Sequence, residues 1–183
     1  MAKVLVPLAD GCEELEAVTI IDLLRRAGID VTVAGLKPGI VKASRGVQLV
    51  PDVTLDVALQ DAYDMVVLPG GMPGATHLKE DARILDLVRR MAAAGKHTAA
   101  ICAAPTVLLE AGVLSGRKAT SYPGFLDALN PRGVELSPAP VVTDGTVITS
   151  RGPGTAMDFA LTLIETLAGT DVRAKVEAGL VRA

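Results

Sequence analysis

The sequence predicts a flavodoxin-like α/β sandwich of three layers, in which helices cover both faces of a mostly parallel sheet. Short apolar runs, typical of strands buried on both faces, alternate along the chain with amphipathic segments of helical periodicity. Parallel strands need crossover connections, and these connections place helices over both faces of the sheet. The chain has no internal repeat and no linker rich in Gly, Pro or Ser, so we expect one domain over residues 1–183.

The first part of the chain predicts two strands, a helix and a hairpin. Residues 3–8 form an apolar, β-branched run, which is typical of a strand. Residues 13–27 carry apolar side chains at the spacing of a helix face and stop at a glycine. Residues 29–34 predict the second strand. In residues 41–50 a Ser-Arg-Gly sequence lies between short apolar stretches, which indicates a β-hairpin.

The rest of the chain continues the alternation of strands and helices. The predicted elements are a strand at 64–68, a helix at 81–94, a strand at 97–101, a helix at 104–111, a short strand at 118–122 and a long helix from residue 155. Asp144-Gly145 lies between two β-rich runs, which predicts a hairpin turn.

The composition excludes several classes of function. Half of the residues are hydrophobic but 2% are aromatic, so Val, Leu, Ile and Ala must build the core. Lys and Arg number 18 against 21 Asp and Glu, and no basic run is present, so nucleic acid is not expected as a primary partner. No apolar run approaches the roughly 18 residues of a membrane span, and the N-terminal apolar stretch is too short for a signal peptide.

The two cysteines favour a reducing compartment. Cys12 and Cys102 lie far apart in the sequence and form neither a disulfide framework nor a metal-ligand spacing. We therefore expect a cytoplasmic protein without a bound metal, in which cysteine chemistry uses single thiols. The acidic neighbours of Cys12 disfavour its thiolate, so Cys12 is interpreted as a passive residue near the pocket.

Cys102 is the candidate nucleophile. Ligands of open parallel sheets bind at the carboxyl ends of the strands, and Cys102 follows a predicted strand and precedes a predicted helix, between small alanines. This pattern is typical of a nucleophile elbow. The N–H groups of the following helix are expected to point at the sulfur and to lower the pKa of the thiol. The alternative is a buried structural cysteine at the start of an alanine-rich helix.

Glu16 is the candidate acid or base. It lies in the first turns of its predicted helix, four residues before Ile20 on the apolar face. A carboxyl there is partly desolvated and tends to stay protonated, so it could donate a hydrogen bond to the Cys102 thiolate and transfer protons. The alternative is an acid that only stabilises the start of the helix through the helix dipole.

Two glycine-containing segments are candidate binding loops. Gly70 and Gly71 follow a predicted strand, and the N–H groups of Gly71 and Ala103 could form an oxyanion hole, although a tight turn would contain the same glycines. Residues 150–155 enter the last helix and could bind a phosphate there. This second segment lacks the lysine and the spacing of a P-loop, which favours a structural turn.

Neither histidine is expected to serve as a base for Cys102. His97 lies five positions earlier on the same predicted strand, about 16 Å away at roughly 3.3 Å per residue, and faces the opposite side. His77 follows the glycine-rich loop, and we expect it at a polar surface position.

Six segments carry a family resemblance. They are Gly11-Cys-Glu-Glu-Leu-Glu16, Arg25-Arg-Ala-Gly28, Ser44-Arg-Gly46, Val67-Leu-Pro-Gly-Gly71, Ala99-Ala-Ile-Cys-Ala-Ala-Pro105 and Ser150-Arg-Gly-Pro-Gly-Thr155. In this order they resemble the ThiJ/PfpI superfamily, and most closely the branch of the parkinsonism-associated protein deglycase and its bacterial YajL-like relatives. The resemblance covers essentially the whole chain.

The resemblance implies a homodimer with a reactive cysteine, a carboxyl partner, two oxyanion amides and two anion-binding arginines. In this sequence they are Cys102, Glu16, the amides of Gly71 and Ala103, Arg45 near the pocket, and Arg26 from the other subunit. Leu15 and Val18 on the first helix lie outside its core face, which also indicates an interface helix.

Two departures from the family pattern bear on the chemistry. Ala103 stands where the protease-like members carry a histidine, which argues against a peptidase. Tyr122, in Thr-Ser-Tyr-Pro, stands where the deglycase has a histidine. A phenol donates a hydrogen bond but is a poor base at neutral pH, so proton transfer falls to Glu16. Packing beside a proline is the alternative role of Tyr122.

Three hypotheses for function follow from the resemblance and the candidate residues. The first is a cofactor-free glyoxalase that acts on 2-oxoaldehydes such as methylglyoxal, or a deglycase that acts on their adducts. The second is a redox-sensing stress protein or chaperone that uses oxidation of Cys102 to a sulfinate. The third, an amidase or isocyanide hydratase, needs pocket residues that the sequence does not identify.

Overall fold

A seven-stranded sheet forms the middle layer of the structure, a computed structural model that describes residues 1–182. The strands are β1 (Lys3–Leu8), β2 (Asp30–Gly35), β3 (Val41–Lys42), β4 (Gln48–Leu49), β5 (Val53–Thr54), β6 (Met65–Leu68), β7 (His97–Ile101), β8 (Arg117–Ala119), β9 (Val134–Leu136), β10 (Val141–Asp144) and β11 (Val147–Ser150). The order in this sheet is β10-β11-β7-β6-β1-β2-β5, and its strands are parallel except for the β10–β11 hairpin. The predicted flavodoxin-like architecture is therefore confirmed.

Helices cover both faces of the sheet. They are α1 (Glu14–Arg26), α2 (Leu55–Ala58), α3 (Gly74–Glu80), α4 (Ala82–Ala93), α5 (Pro105–Glu110), α6 (Leu126–Leu129), α7 (Ala156–Ala168) and α8 (Thr170–Gly179). Alternate residues of β1 point to opposite layers, because Val4 and Val6 pack with α1 and α7 while Leu5 packs with α4 and α5. Among residues 1–182, no helix has both the length and the apolar character to cross a membrane.

The strand order brings three strand ends together. The chain crosses from β1 to β2 on one side, and the later strands β6 and β7 lie on the other side of β1. Such a change of direction opens a crevice at the carboxyl ends of the strands. The residues that follow β1, β6 and β7 therefore meet at one edge of the sheet, and they include Glu16, Gly70 and Cys102.

The structure differs from the sequence prediction between residues 117 and 136. The predicted strand at 118–122 ends at Ala119 and pairs with β9 rather than with the central sheet. Beyond Ala119, the Thr120 N–H donates to Thr149 Oγ1 and the Tyr122 N–H donates to the Cys102 carbonyl. These two N–H groups are therefore not available for the strand pairing that a longer strand would need. Their hydrogen bonds also hold the segment against the turn at Cys102.

Candidate active site

Cys102 lies in a sharp turn between β7 and α5. Its φ of 65° places a residue with a side chain in the left-handed region, at a cost on the order of 1–3 kcal/mol. The Cys102 N–H donates to the Ser150 carbonyl at 3.0 Å, and its carbonyl accepts the Tyr122 N–H at 2.9 Å. Ala103 and Ala104 are buried beside it. The strained elbow that the sequence predicts is therefore present.

The Glu16 carboxyl is fully buried next to this elbow. Glu16 Oε2 accepts the Gly70 N–H at 2.9 Å, and the carboxyl lies within hydrogen-bonding reach of the Cys102 thiol. Glu16 Oε1 is buried and forms no hydrogen bond of regular geometry with any group of residues 1–182. One carboxyl oxygen is thus held by the backbone, and the other remains available for a proton or a ligand.

The two groups perturb each other's ionisation. Burial raises the pKa of Glu16 to about 7, although the Gly70 N–H and the Cys102 thiol both stabilise its carboxylate. Burial and then the Glu16 charge raise the pKa of Cys102 to about 12, while the N–H groups of Gly71 and Ala103 oppose this rise. The expectation of a partly protonated Glu16 is borne out.

The N–H group of Ala103, just before the following helix, acts to lower the pKa of Cys102 as expected, but the net pKa of the thiol is raised and not lowered. Helix α5 has six residues and Pro105, which has no N–H, lies at its start, so the helix offers a weak dipole. Burial of the sulfur, together with the charge of the adjacent Glu16 carboxylate, raises the pKa of the thiol by more than the helix lowers it. Cys102 and Glu16 therefore act as a pair that loses its first proton near pH 7. The thiolate forms when Glu16 accepts the proton of the thiol.

Two N–H groups are directed at the sulfur. The Gly71 and Ala103 amides both contact Cys102 Sγ, and neither donates to another backbone group in the described part of the chain. Gly71 has a φ of 89°, and a Cβ there would lie 2.3 Å from the Glu13 nitrogen, so this position requires glycine. The pair of amides has the arrangement of an oxyanion hole.

Arg45 lies at the exposed turn of the β3–β4 hairpin, and its guanidinium forms no ion pair within residues 1–182. Glu14 holds this turn, since its carboxylate accepts the Ser44 hydroxyl at 3.0 Å and the Arg45 N–H at 2.8 Å. The role of Glu14 was not predicted from the sequence. The sequence signals that could have pointed to this role are the position of Glu14 near Glu16 and the presence of the Ser-Arg-Gly turn.

Arg26 is not part of the site in this chain. It lies ten residues after Glu16, about 15 Å away along α1, and pairs with Asp22 at 2.9 Å. Its contribution from a second subunit stays a prediction. Tyr122 is 47% exposed and adjoins the elbow through its N–H, and its ring meets Phe125 edge-on at 6.2 Å.

The other candidate residues take structural positions. Cys12 is buried, and burial and the Glu14 charge raise its pKa to about 12. Its passive role stays a prediction, because the pKa of Cys102 is raised to the same value. His97 begins β7, at the opposite end of the strand from Cys102. His77 is exposed, and its Nδ1 lies 2.9 Å from the Asp10 carbonyl oxygen.

Residues 150–155 form the structural turn that the sequence favours. Thr155 Oγ1 lies 2.7 Å from Ser150 Oγ and accepts the Gly152 N–H at 3.1 Å, so its hydroxyl closes the turn internally. Residues 1–182 contain no group of three or more His, Cys, Asp or Glu side chains arranged to hold a metal ion.

Replacing Glu16 by glutamine is expected to stabilise the protein at pH 8 but not at pH 4. Folded Glu16 keeps its proton up to about pH 7, whereas an unfolded glutamate loses it near 4.5. Between these values the folded state binds more protons, so the stability of the native protein falls as the pH rises. The shift corresponds to about 3 kcal/mol, and glutamine removes this penalty. Urea unfolding at both pH values measures it.

The exposed Glu80→Gln change is the control for this measurement, and it should leave the free energy of unfolding nearly unchanged at both pH values. A Glu16→Gln protein that is less stable than the native protein at pH 8 would contradict the raised pKa of Glu16.

The chain is similar in sequence and in structure to known proteins. The sequence profile of the DJ-1/PfpI family matches residues 2–166. Protein dj-1beta of Drosophila melanogaster is 49% identical over 178 residues, which cover 97% of this chain and 95% of the relative. The glutathione-independent glyoxalase DJR-1.2 of Caenorhabditis elegans is 38% identical over 170 residues, covering 93% and 90%. The structure of oxidized Toxoplasma gondii DJ-1 superposes with a TM-score of 0.95 at 42% identity and covers 100% of both chains.

Proposed function

The chain belongs to the DJ-1/PfpI family, and we propose that it is a cysteine-dependent glyoxalase that converts 2-oxoaldehydes such as methylglyoxal into 2-hydroxy acids without a cofactor. The observation that carries this proposal is the pairing of Cys102, in its strained elbow, with the buried Glu16 carboxyl. A relative that bears the name of a glutathione-independent glyoxalase supports the same conclusion.

The first step joins the thiol to the aldehyde. Glu16 takes the proton of Cys102 as the sulfur forms a bond to the aldehyde carbon, and the carbonyl electron pair moves to the oxygen. The Gly71 and Ala103 N–H groups stabilise the oxyanion. Glu16 then returns the proton to this oxygen, which gives a hemithioacetal.

The second step moves hydrogen between the two carbons. Glu16 removes the hydrogen of the former aldehyde carbon as a proton and delivers it to the neighbouring keto carbon through an enediol, while the hydroxyl proton of the hemithioacetal moves to the former keto oxygen. The product is a thioester of the 2-hydroxy acid, which water cleaves to release the acid and restore the thiol. The aldehyde carbon is oxidised, the keto carbon is reduced, and the net change is the addition of one water. In deglycation, the Cys102 sulfur would displace the Arg or Lys nitrogen, or the Cys sulfur, from the former aldehyde carbon of an adduct. The displaced group would leave with the electron pair and take a proton, and the same hemithioacetal would result.

Proton NMR of the purified protein with methylglyoxal tests the proposal. Lactate should appear at a rate proportional to the protein concentration. Glu16→Gln should lower this rate at least tenfold, because general acid–base catalysis contributes about 100-fold or more. Absence of lactate with the native protein would overturn the proposed function, and an unchanged rate in Glu16→Gln would remove Glu16 from the mechanism.

A second candidate function is a redox sensor that uses Cys102. The unpartnered Glu16 Oε1 and the two N–H groups at the sulfur could hold the oxygens of a sulfinate, and the related Toxoplasma gondii structure is described as oxidized. Graded peroxide should add 32 Da, about two oxygen masses, first to the peptide that contains Cys102. Preferential modification of Cys12, which has acidic neighbours, would contradict this function.

We also propose a homodimer in which Arg26 of one subunit approaches the site of the other. Leu15 and Val18 of α1 are 52% and 47% exposed, so this helix keeps an apolar face free in the described chain. Light scattering of a dilute sample should give twice the chain mass of 18.8 kDa. A single species of 18.8 kDa would exclude the dimer and the role of Arg26.

A further inference from the structure

A groove of about 170 Å³ lies beside the candidate active site. We call it the side groove, and its lining includes Met72, Thr76, Lys79, Thr106, Phe125 and Leu129. An apolar cavity of about 150 Å³ is large enough for a benzene ring. The side groove therefore has room for a group larger than a methyl.

The side groove continues from the groups that surround the thiol. Met72 directly follows Gly71, whose N–H contacts the sulfur. The Thr106 hydroxyl donates to the carbonyl of Ala103, the other amide at the sulfur, at 2.7 Å. Phe125 lies three residues after Tyr122, whose N–H donates to the Cys102 carbonyl. Each of the three segments around Cys102 thus supplies a wall of the groove.

The walls of the side groove are open and carry both apolar and polar side chains, with Met72, Phe125 and Leu129 as the large apolar ones. Met72 and Leu129 are 50% and 57% exposed, and the Phe125 ring packs edge-on against Tyr122. Lys79 is the charged lining residue, and it forms no ion pair among residues 1–182. A neutral apolar group gains burial in this groove, and the ammonium of Lys79 disfavours a cationic one.

We propose that the side groove binds the carbon substituent of the substrate and that the site prefers 2-oxoaldehydes with a neutral aryl or branched alkyl group. This inference rests on the proposed function, since it takes the substrate to be a 2-oxoaldehyde whose carbonyl oxygen is bound by the Gly71 and Ala103 amides. A substrate bound in this way would extend its substituent past Met72. Methylglyoxal, which carries a methyl, would leave the groove empty.

Two exposed residues allow a test that does not disturb the core. Met72→Ser and Leu129→Ser should each lower kcat/KM for phenylglyoxal about tenfold, because they replace apolar groove walls by polar ones. The same variants should leave kcat/KM for methylglyoxal within about twofold. Val57→Ser, a change of an exposed apolar residue on α2, is the matched control and should alter neither value.

Alkylation of Cys102 gives a second readout that needs no turnover. Phenacyl bromide and bromoacetone carry the same reacting group, and in both the sulfur forms a bond to carbon as bromide leaves with the electron pair. Met72→Ser should lower the ratio of the phenacyl rate to the bromoacetone rate at Cys102 several-fold. An unchanged ratio would overturn the subsite. A lowered ratio in a protein that makes no lactate would keep the subsite and reject the glyoxalase function.

Discussion

Replacing Cys102 by serine is expected to abolish turnover of methylglyoxal, with a loss in kcat/KM of at least about 1000-fold. A serine hydroxyl is a far weaker acid than a thiol. The Glu16 carboxyl, with a pKa of about 7, is therefore too weak a base to accept the hydroxyl proton as the serine oxygen attacks the aldehyde. Neither histidine is placed to help, because His97 lies at the far end of β7 and the exposed His77 directs its Nδ1 at the Asp10 carbonyl. The rate of lactate formation by proton NMR gives the result directly.

Cys12→Ser is the matched control for this substitution. Cys12 is buried in the same region and its backbone packs against Gly71, but its thiol interacts neither with the Glu16 carboxyl nor with the N–H groups of Gly71 and Ala103 in the way that the Cys102 thiol does. Most of the activity should therefore remain, with a small loss of stability for burying a hydroxyl. Equal losses in both variants would show that Cys102 is not the nucleophile.

Replacing Gly70 by alanine is expected to lower activity about 100-fold while the chain still folds. A Cβ at this position would lie 2.6 Å from Cys102 Cβ and 2.8 Å from Glu16 Oε2, so it would push the thiol and the carboxyl apart. Displacement by about 1 Å costs on the order of 100-fold in rate. Overpacking adds a stability loss of about 1–3 kcal/mol. Activity and urea unfolding are measured on the same sample.

Gly154→Ala provides the comparison for Gly70→Ala. A Cβ at Gly154 meets no atom within 4 Å, so both activity and stability should stay close to those of the native protein. Full activity in Gly70→Ala would mean that the contact between Cys102 and Glu16 is not needed for turnover.

Local patterns predicted most of the fold and the two central residues of the site. The apolar runs gave β1, β2, β6 and β7 to within a residue or two, because strands buried on both faces leave a signal in the sequence itself. Periodicity placed Glu16 on the buried face of α1. The elbow at Cys102 followed from its small neighbours between a strand and a helix.

Features that depend on distant contacts were not predicted. Helix α3 begins at the glycine of Pro73-Gly74, a pair that is typical of a loop, and it forms where Ala75 and Leu78 become buried. The turn that carries Arg45 is held by Glu14, about thirty residues earlier in the chain. The raised pKa of Cys102 arises from burial by the whole fold, which the local helix pattern does not report.

The pH dependence of Cys102 alkylation tests the central claim that Cys102 and Glu16 share one proton. In the native protein the iodoacetamide rate at Cys102, followed by peptide mass spectrometry, should rise with pH and level off above about pH 7, where the pair loses its first proton. In Glu16→Gln no group titrates with the thiol near this pH, so the rate should continue to rise beyond it without a break. The same levelling near pH 7 in both proteins would contradict the shared proton.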